Sequence, residues 1–162
     1  MMVNSQVRNI SGLQHRFERN SRSFPLLSAR RVSNTLAQLE AAVTSKTILA
    51  IEEVYRELEK KDDVAFQWLK AHRILVVDID IDIQRRVTAL LGAHPRLVDT
   101  RKNRSSGDPF VIALAQSRTL SVVTGEKPSN VLAKPNIPDV CNVVNIPWLN
   151  VLAMFRQEGW KV

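Results

Sequence analysis

The chain of 162 residues is 44% hydrophobic and 24% charged, and it carries a formal net charge of +7 with a pI near 10.1. This length predicts one domain with a core of its own, and no apolar run approaches the ~20 residues that a membrane-spanning helix needs. The N-terminus lacks the apolar segment of a secretory signal, and a single cysteine, Cys141, excludes an intramolecular disulfide and a cysteine-rich metal site. We therefore expect a cytoplasmic globular protein, whose basic charge permits RNA, DNA or an acidic protein as partner.

The first 32 residues form a polar segment rich in arginine, serine and asparagine, without a sustained strand or helix period. Two interpretations stay open: a basic arm that contacts nucleic acid, or a loosely ordered, solvated segment. In either case we expect this segment to supply no strand for the centre of a sheet. Residues 33–162 are taken as the folded domain, with Ser33 predicted to cap its first helix.

Short apolar runs alternate with helical patterns through the middle of the chain, which predicts an α/β fold with a parallel sheet. In chain order, the predicted elements are a strand at 47–50, a helix at 51–60, a helix starting at Asp62 or Asp63, a strand at 74–77 and a helix at 84–91.

An Asp-Ile-Asp-Ile-Asp run at residues 78–82 follows the second of these strands. On a strand, its three carboxylates would share one face and suggest a cation site. We favour a strand that ends near Asp78 and a helix that starts at Asp80 or Asp82, because the glycine and the distant glutamate of a calcium-binding loop are absent.

The last third of the chain carries the most informative pattern. Asp108 is predicted to cap a helix, with Pro109 in the first turn, where its missing N–H costs nothing. A buried strand follows, and Glu126 lies just beyond its end. Since open α/β sheets bind ligands at the carboxyl ends of their strands, we expect Asp108 and Glu126 to converge there. The predicted elements are a helix at 108–116, a strand at 120–124, a loop at 127–136, a helical turn at 140–144, and a helix at 151–158 that Asn150 caps and Gly159 ends.

Four segments resemble, in this order, the PIN-like nucleases. Residues 54–58 read Val-Tyr-Arg-Glu-Leu and are similar to the Val-x-x-Glu-Leu helix of that family. Residues 107–115 resemble its helix that opens with an acid and a small apolar run, and residues 121–126 resemble its strand that ends in Val-Val-Thr-x-acid. The Ile-Pro-Asp-Val-Cys segment at 137–141 and the C-terminal Gly-Trp tail are similar to a subgroup of about this length, so the resemblance covers roughly 44–162.

The resemblance implies a PIN-like three-layer α/β/α fold with a short parallel sheet, and a metal-dependent endoribonuclease of the toxin type. It implies that Glu57, Asp108 and Glu126 are catalytic and hold Mg²⁺ or Mn²⁺, which activates water and stabilises charge on the phosphate. RNA would be the substrate, an antitoxin protein the partner, and a homodimer is permitted. Four further residues are candidates for holding a substrate phosphate: Arg101, Lys102, Arg104 and Thr124.

Each candidate also has a structural interpretation. Glu57 is one of several acids on a helix, Asp108 is a cap and Glu126 is a loop charge. The basic residues at 101–104 lie in a polar loop. The hydroxyl of Thr124 is able to hydrogen-bond to its own backbone at a strand end. Clustering would favour the metal site, because carboxylates brought together repel one another without a cation.

One element of the PIN family is not matched. The family opens with an apolar strand that ends in Asp, followed by Ser/Thr-Asn, and that acid lies centrally in the metal site. Here no Asp precedes Asp62. We therefore expect a nuclease weakened by the loss of its first acid, and the alternative is a catalytically degenerate PIN-like domain that binds protein or RNA.

Two further expectations concern packing. Cys141 lies among apolar residues and is predicted to be a buried small residue rather than a nucleophile. Leu152, Phe155 and Trp160 are predicted to bury apolar surface, so that the C-terminal tail belongs to the core.

Overall fold

The computed structural model describes residues 8–9, 29–98, 106–131 and 133–160, with the backbone alone at 8–9 and 29–36. The helices are α1 (Ala29–Thr44), α2 (Glu52–Glu59), α3 (Val64–Ala71), α4 (Ile81–Ala93), α5 (Asp108–Arg118), α6 (Ile137–Val143) and α7 (Val151–Gln157), with a 3₁₀ turn at Arg73–Leu75. The strands are β1 (Arg8–Asn9), β2 (Ile48–Ile51), β3 (Val76–Val77), β4 (Ser121–Val123) and β5 (Trp148–Leu149).

The five strands form a sheet in the order β3-β2-β1-β4-β5, and every neighbouring pair is parallel. Parallel neighbours need long crossover connections, and helices lie between the strands along the chain. The predicted α/β class with a short parallel sheet is therefore confirmed.

The central strand of the sheet comes from the N-terminal segment, contrary to our expectation. The first 32 residues were expected to supply no strand, yet Arg8 pairs with Ile48 of β2 on one side and with Ser121 of β4 on the other. Sheet pairing is made by backbone N–H and C=O groups, so two polar residues are able to occupy this position without the apolar run that sequence reasoning looks for.

Two hydrophobic clusters flank this sheet. The larger one includes Val122 of β4, and the smaller one includes the next residue, Val123. Successive strand residues point to opposite faces, so both faces of β4 are covered. The smaller cluster joins residues of α1, β2, β4 and α7: Ala42, Ile48, Val123, Val151 and Met154.

Helix α5 lies at the centre of the larger cluster. The five residues from Val111 to Ala115 are at most 1% exposed, and the helix contacts β1, β2, β4, α4 and α6. A helix that is apolar all round is a buried helix. Its first residue, Asp108, is therefore held in a fixed relation to the sheet.

Several helix starts agree with the expectations, and the start of α1 does not. Asp63 caps α3 through Phe66 N–H at 3.0 Å, and Asp80 caps α4 through Ile83 N–H at 2.8 Å. The Asp80 cap confirms the helix-start interpretation of the aspartate run. The predicted Ser33 cap is wrong, because α1 begins at Ala29 and extends through the Ala-Arg-Arg segment, whose residues favour helix.

The C-terminal tail is packed, although not by all of the expected residues. Asn150 caps α7 through Ala153 N–H at 2.9 Å, and Gly159 ends the helix region with φ +69°. The Phe155 and Trp160 rings stack with centroids 5.1 Å apart. Leu152 was expected to be buried but is 37% exposed, because the buried side of this helix is formed by its neighbours at 151 and 154.

Cys141 is fully buried, as predicted, and burial raises the pKa of its thiol to about 12. Among the helices that the structure describes, none is long and apolar enough to cross a membrane.

Candidate functional site

The topology directs the candidate acids toward one edge of the sheet. Helix α2, which carries Glu57, follows β2 directly, and Glu126 follows β4. Both strands are neighbours of β1, and the carboxyl ends of parallel strands meet at one edge. A short turn connects the C-terminal end of helix α5 to the N-terminal end of β4. The helix therefore runs back along the sheet, and its first residue, Asp108, lies toward the carboxyl edge.

Glu57 is bound to the turn that begins α5. Its Oε1 accepts a hydrogen bond from Ser106 Oγ at 2.7 Å and another from Gly107 N–H at 2.9 Å. Gly107 is buried and directly precedes Asp108. A carboxylate at this place also interacts favourably with the positive end of a helix dipole. Glu57 is therefore half-buried and tied to a distant element, unlike the exposed Glu59 of the same helix.

A second carboxylate, Glu53, lies beside Glu57. The two residues are one helical turn apart, and Glu53 Oε1 lies 3.1 Å from the same Ser106 hydroxyl oxygen. Arg56 approaches the other oxygen of Glu53 at 3.6 Å. Sequence reasoning did not single out Glu53 among the four glutamates of this helix, and its spacing of four residues from Glu57 was the available signal.

Asp108 starts α5, but not as the predicted cap. Gly107 occupies the cap position with helical φ and ψ of −74° and −21°, and its C=O accepts from Val111 N–H at 3.0 Å. Asp108 is the first helical residue, with Pro109 next to it in the first turn as expected. Because Gly107 already has helical dihedral angles, the helix starts one residue earlier than an Asp108 cap would give. The charge of Asp108 still lies in the first turn, where the helix dipole favours it.

Glu126 is engaged at the start of another helix. Its Oε2 accepts a hydrogen bond from Ile137 N–H, at the first position of α6, at 2.9 Å. Its own N–H donates to Thr124 Oγ1 at 3.1 Å, and Thr124 is 1% exposed. The observed contact of Thr124 is thus the backbone contact that its structural interpretation describes. A contact between Thr124 and a substrate phosphate stays a prediction.

Sequence reasoning missed the role of Asp139. This residue is 5% exposed, and its carboxylate accepts four hydrogen bonds: two from Ser129, one from Asn130 N–H and one from Asn136 N–H, at 2.8–3.0 Å. Burial acts to raise the pKa of Asp139, but the bonds from Asn136, Ser129 and Asn130 outweigh it, and the pKa lies below its ordinary value. The signal was an Asn-x-x-Asp spacing at the start of a helix with proline in its first turn.

Asp139 and Glu126 both hydrogen-bond to the segment that connects β4 to α6 or to its immediate end. Glu126, near the start of that segment, accepts from Ile137 N–H just beyond its end. Asp139 accepts from Asn130 N–H in its middle and from Asn136 N–H at its last residue. The placement of Glu126 therefore depends on α6 as well as on β4.

Carboxylate oxygens are the ligands that hard cations such as Mg²⁺ prefer. Among the residues described, no group of three or more His, Cys, Asp or Glu side chains is arranged to hold a metal ion. Mg²⁺ usually retains several waters and is bound by one or two carboxylates together with substrate phosphates. The described part of the chain holds no all-protein cage, and the contacts of Glu57 Oε1 are with Ser106 Oγ and Gly107 N–H. The three basic candidates, Arg101, Lys102 and Arg104, lie outside the described residues.

Comparison with known protein families gives one match. Residues 29–162 match the family described as Domain of unknown function (DUF4411). Neither the curated proteins nor the solved structures include a match to this chain. The matched stretch contains all of the described elements except β1. The chain therefore belongs to the DUF4411 family.

Proposed function

We propose that this protein is a metal-dependent endoribonuclease with a PIN-like three-layer α/β/α fold. The observation that carries the proposal is the pair of hydrogen bonds from Ser106 and Gly107 to Glu57. They join the acid of α2 to the turn that directly precedes Asp108, at the carboxyl edge of a parallel sheet. Ligands bind at this edge in open α/β folds.

The proposed fold is supported by the sheet and by its two hydrophobic clusters. The strands are parallel in the order 3-2-1-4-5, and apolar side chains pack on both faces of β4. Helices on both sides of a parallel sheet are the expected cover for such a sheet.

In the proposed site, Glu57, Asp108 and Glu126 would be the available carboxylates, and one or two of them would bind Mg²⁺ or Mn²⁺ together with water and substrate phosphates. The ion would supply an activated water and neutralise charge on the phosphate. The chain itself orients the carboxylates: the turn before α5 holds Glu57, and Ile137 N–H holds Glu126. The net charge of +7 favours association with the RNA backbone.

Within this proposal the protein is a cytoplasmic toxin-type ribonuclease, and an antitoxin protein that covers the acidic edge is its partner. A homodimer is compatible with that arrangement.

The test is cleavage of single-stranded and structured RNA by the full chain with Mg²⁺ or Mn²⁺, with a chelator as the metal-free control. Glu57→Gln and Glu126→Gln should each lower the cleavage rate at least 100-fold, because each removes a carboxylate charge from the ion. Glu59→Gln is the matched control, since Glu59 is exposed on the same helix as Glu57. Wild-type protein that cuts no RNA with either metal, or folded Glu57→Gln protein that cuts as fast as the control, would refute the proposal.

A second candidate is a catalytically degenerate PIN-like domain that binds RNA or protein. The observation that favours it is the identity of β1: Arg8–Asn9 brings no carboxylic acid to the central strand. RNA binding that persists with the chelator, without cleavage under any metal condition, would favour this candidate over the nuclease.

A further inference from the structure

Two lysine–proline pairs lie at the two ends of the segment that connects β4 to α6. Lys127 is followed by Pro128, and Lys134 is followed by Pro135. A residue that precedes proline is restricted to extended backbone conformations, so each lysine has less backbone freedom than an ordinary loop residue. Both lysines are exposed, whereas Pro135 is buried. The segment therefore presents two positive charges from a restricted backbone.

Hydrogen bonds restrict the backbone of both lysines further. The C=O of Lys127 accepts from Asn136 Nδ2 at 2.8 Å, and the N–H of Lys134 donates to Val131 O at 2.9 Å. Since Asn136 lies two residues beyond Lys134, the first of these bonds brings the two ends of the segment together. The two lysines thus start from the same part of the surface, although seven positions separate them in the chain.

A buried carboxylate anchors these contacts. Asn136 N–H donates to Asp139 at 2.8 Å. On the other side, Val131 N–H donates to Ser129 Oγ at 3.1 Å, and that hydroxyl donates to Asp139 at 2.8 Å. Asp139 is 5% exposed. Each residue that bonds to a lysine backbone is therefore linked to a buried charge, either directly or through one serine.

The segment begins at the carboxyl edge of the sheet. Lys127 directly follows Glu126, whose carboxylate accepts from Ile137 N–H just beyond the other end of the segment. The ion pairs formed within the described part of the chain involve other residues, so both ammonium groups are accessible to a ligand. A lysine ammonium binds phosphate as a point charge. A backbone that is already restricted lowers the entropy cost of placing such a charge on a ligand.

We infer that Lys127 and Lys134 bind two backbone phosphates of RNA beside the acidic edge; this rests on the proposed function. An RNA strand carries one negative charge at each phosphate, so neighbouring ammonium groups match neighbouring phosphates. RNA is favoured over an acidic protein because the lysines lie at the edge where the proposed cleavage takes place and the whole chain has a net charge of +7.

The experiment measures the affinity of the full chain for a short labelled oligouridine by fluorescence anisotropy, with a chelator present, over a series of salt concentrations. The double variant Lys127→Gln/Lys134→Gln removes both charges. Its matched control is Lys60→Gln/Lys61→Gln, because these lysines are also exposed but lie at the end of α2 that points away from the carboxyl edge.

The salt dependence gives the expected size of the effect. Each phosphate contact on a single strand contributes about 0.7 to the slope of log affinity against log salt concentration, so the double variant should lose about 1.4 from the slope. Because this contribution vanishes near 1 M salt, the same loss corresponds to about 25-fold weaker binding in 0.1 M salt. Lys127→Arg/Lys134→Arg and the control should keep the wild-type slope, and single-stranded DNA should show the same loss as RNA.

The outcomes separate this inference from the proposed function. A glutamine variant with the slope and affinity of the control would overturn the role of the two lysines, and so would a wild type that binds no RNA; the cleavage assay decides on the nuclease independently. A loss confined to RNA would overturn the assignment to phosphate. A variant that keeps its affinity for RNA but loses affinity for poly-glutamate would make the segment a contact for an acidic protein instead.

Discussion

Asp139→Asn tests whether a single buried carboxylate organises the segment between β4 and α6. The substitution keeps the size of the side chain and replaces one carboxylate oxygen with an NH₂ group. Three of the four hydrogen bonds, from Ser129 N–H, Ser129 Oγ and Asn136 N–H, go to Oδ2, and the fourth, from Asn130 N–H, goes to Oδ1. The amide is therefore expected to place its oxygen at Oδ2 and its NH₂ against the Asn130 N–H.

The cost follows from these contacts. Hydrogen bonds to a charged group contribute about 1 kcal/mol more than bonds to a neutral one, so three bonds that lose the charge cost roughly 3 kcal/mol. The fourth bond is lost, but Asn130 is exposed and water replaces part of it. We expect a decrease of roughly 3–4 kcal/mol in the free energy of unfolding. For a chain of this size, that is a decrease of about 6–15 °C in the melting temperature.

The assay is urea unfolding at pH 7, with Asp63→Asn as the control. Asp63 also accepts a backbone N–H, but as a helix cap with one bond, where Asn serves nearly as well as Asp. The control should cost less than about 0.5 kcal/mol. An Asp139→Asn variant no less stable than the control would refute the role assigned to this carboxylate.

The pH dependence gives a second readout with a defined sign. The pKa of Asp139 in the folded protein is lowered from the model-compound value of 3.8. Its stabilisation is therefore fully present above about pH 4 and is lost as the pH falls through the lowered pKa. The difference in stability between wild type and Asp139→Asn should shrink as the pH is lowered from 5 to 2. A difference that stays constant across that range would contradict the contribution of the ionised form.

Three further predictions concern other parts of the molecule. If wild type cuts RNA, Asp108→Asn should abolish cleavage with little loss of fold, because asparagine keeps the size of the side chain and removes its charge from the first turn; undiminished cleavage by the folded variant would remove Asp108 from the mechanism. Trp160→Ala should lower the free energy of unfolding by about 1–2 kcal/mol, since the half-buried ring stacks on Phe155; an unchanged melting temperature would show that the tail is not part of the core. Cys141 should resist alkylation at pH 8 in the folded protein and react after denaturation, because its thiol is buried with a pKa of about 12; rapid labelling of native protein would contradict its burial.

The amino-acid sequence by itself determined the local features of this protein. The caps at Asp63, Asp80 and Asn150 each bond to a backbone N–H three residues ahead. Residue type and spacing predicted the Asn150 cap and restricted each of the other two to a pair of aspartates. The turn at Gly159 has a positive φ, which glycine adopts without steric cost. The α/β class also followed, because alternating apolar runs and helical periods are visible within short windows.

The tertiary structure decided the features that depend on distant residues. The central strand at Arg8–Asn9 exists through backbone pairing with strands some 40 and 110 residues away, which no local pattern reveals. Ser106 bonds to Glu57 across 49 positions, and Asp139 collects donors from a loop that precedes it by up to 10. Side-chain types show which groups are able to bond, but the partners are chosen only when packing brings them within about 3 Å.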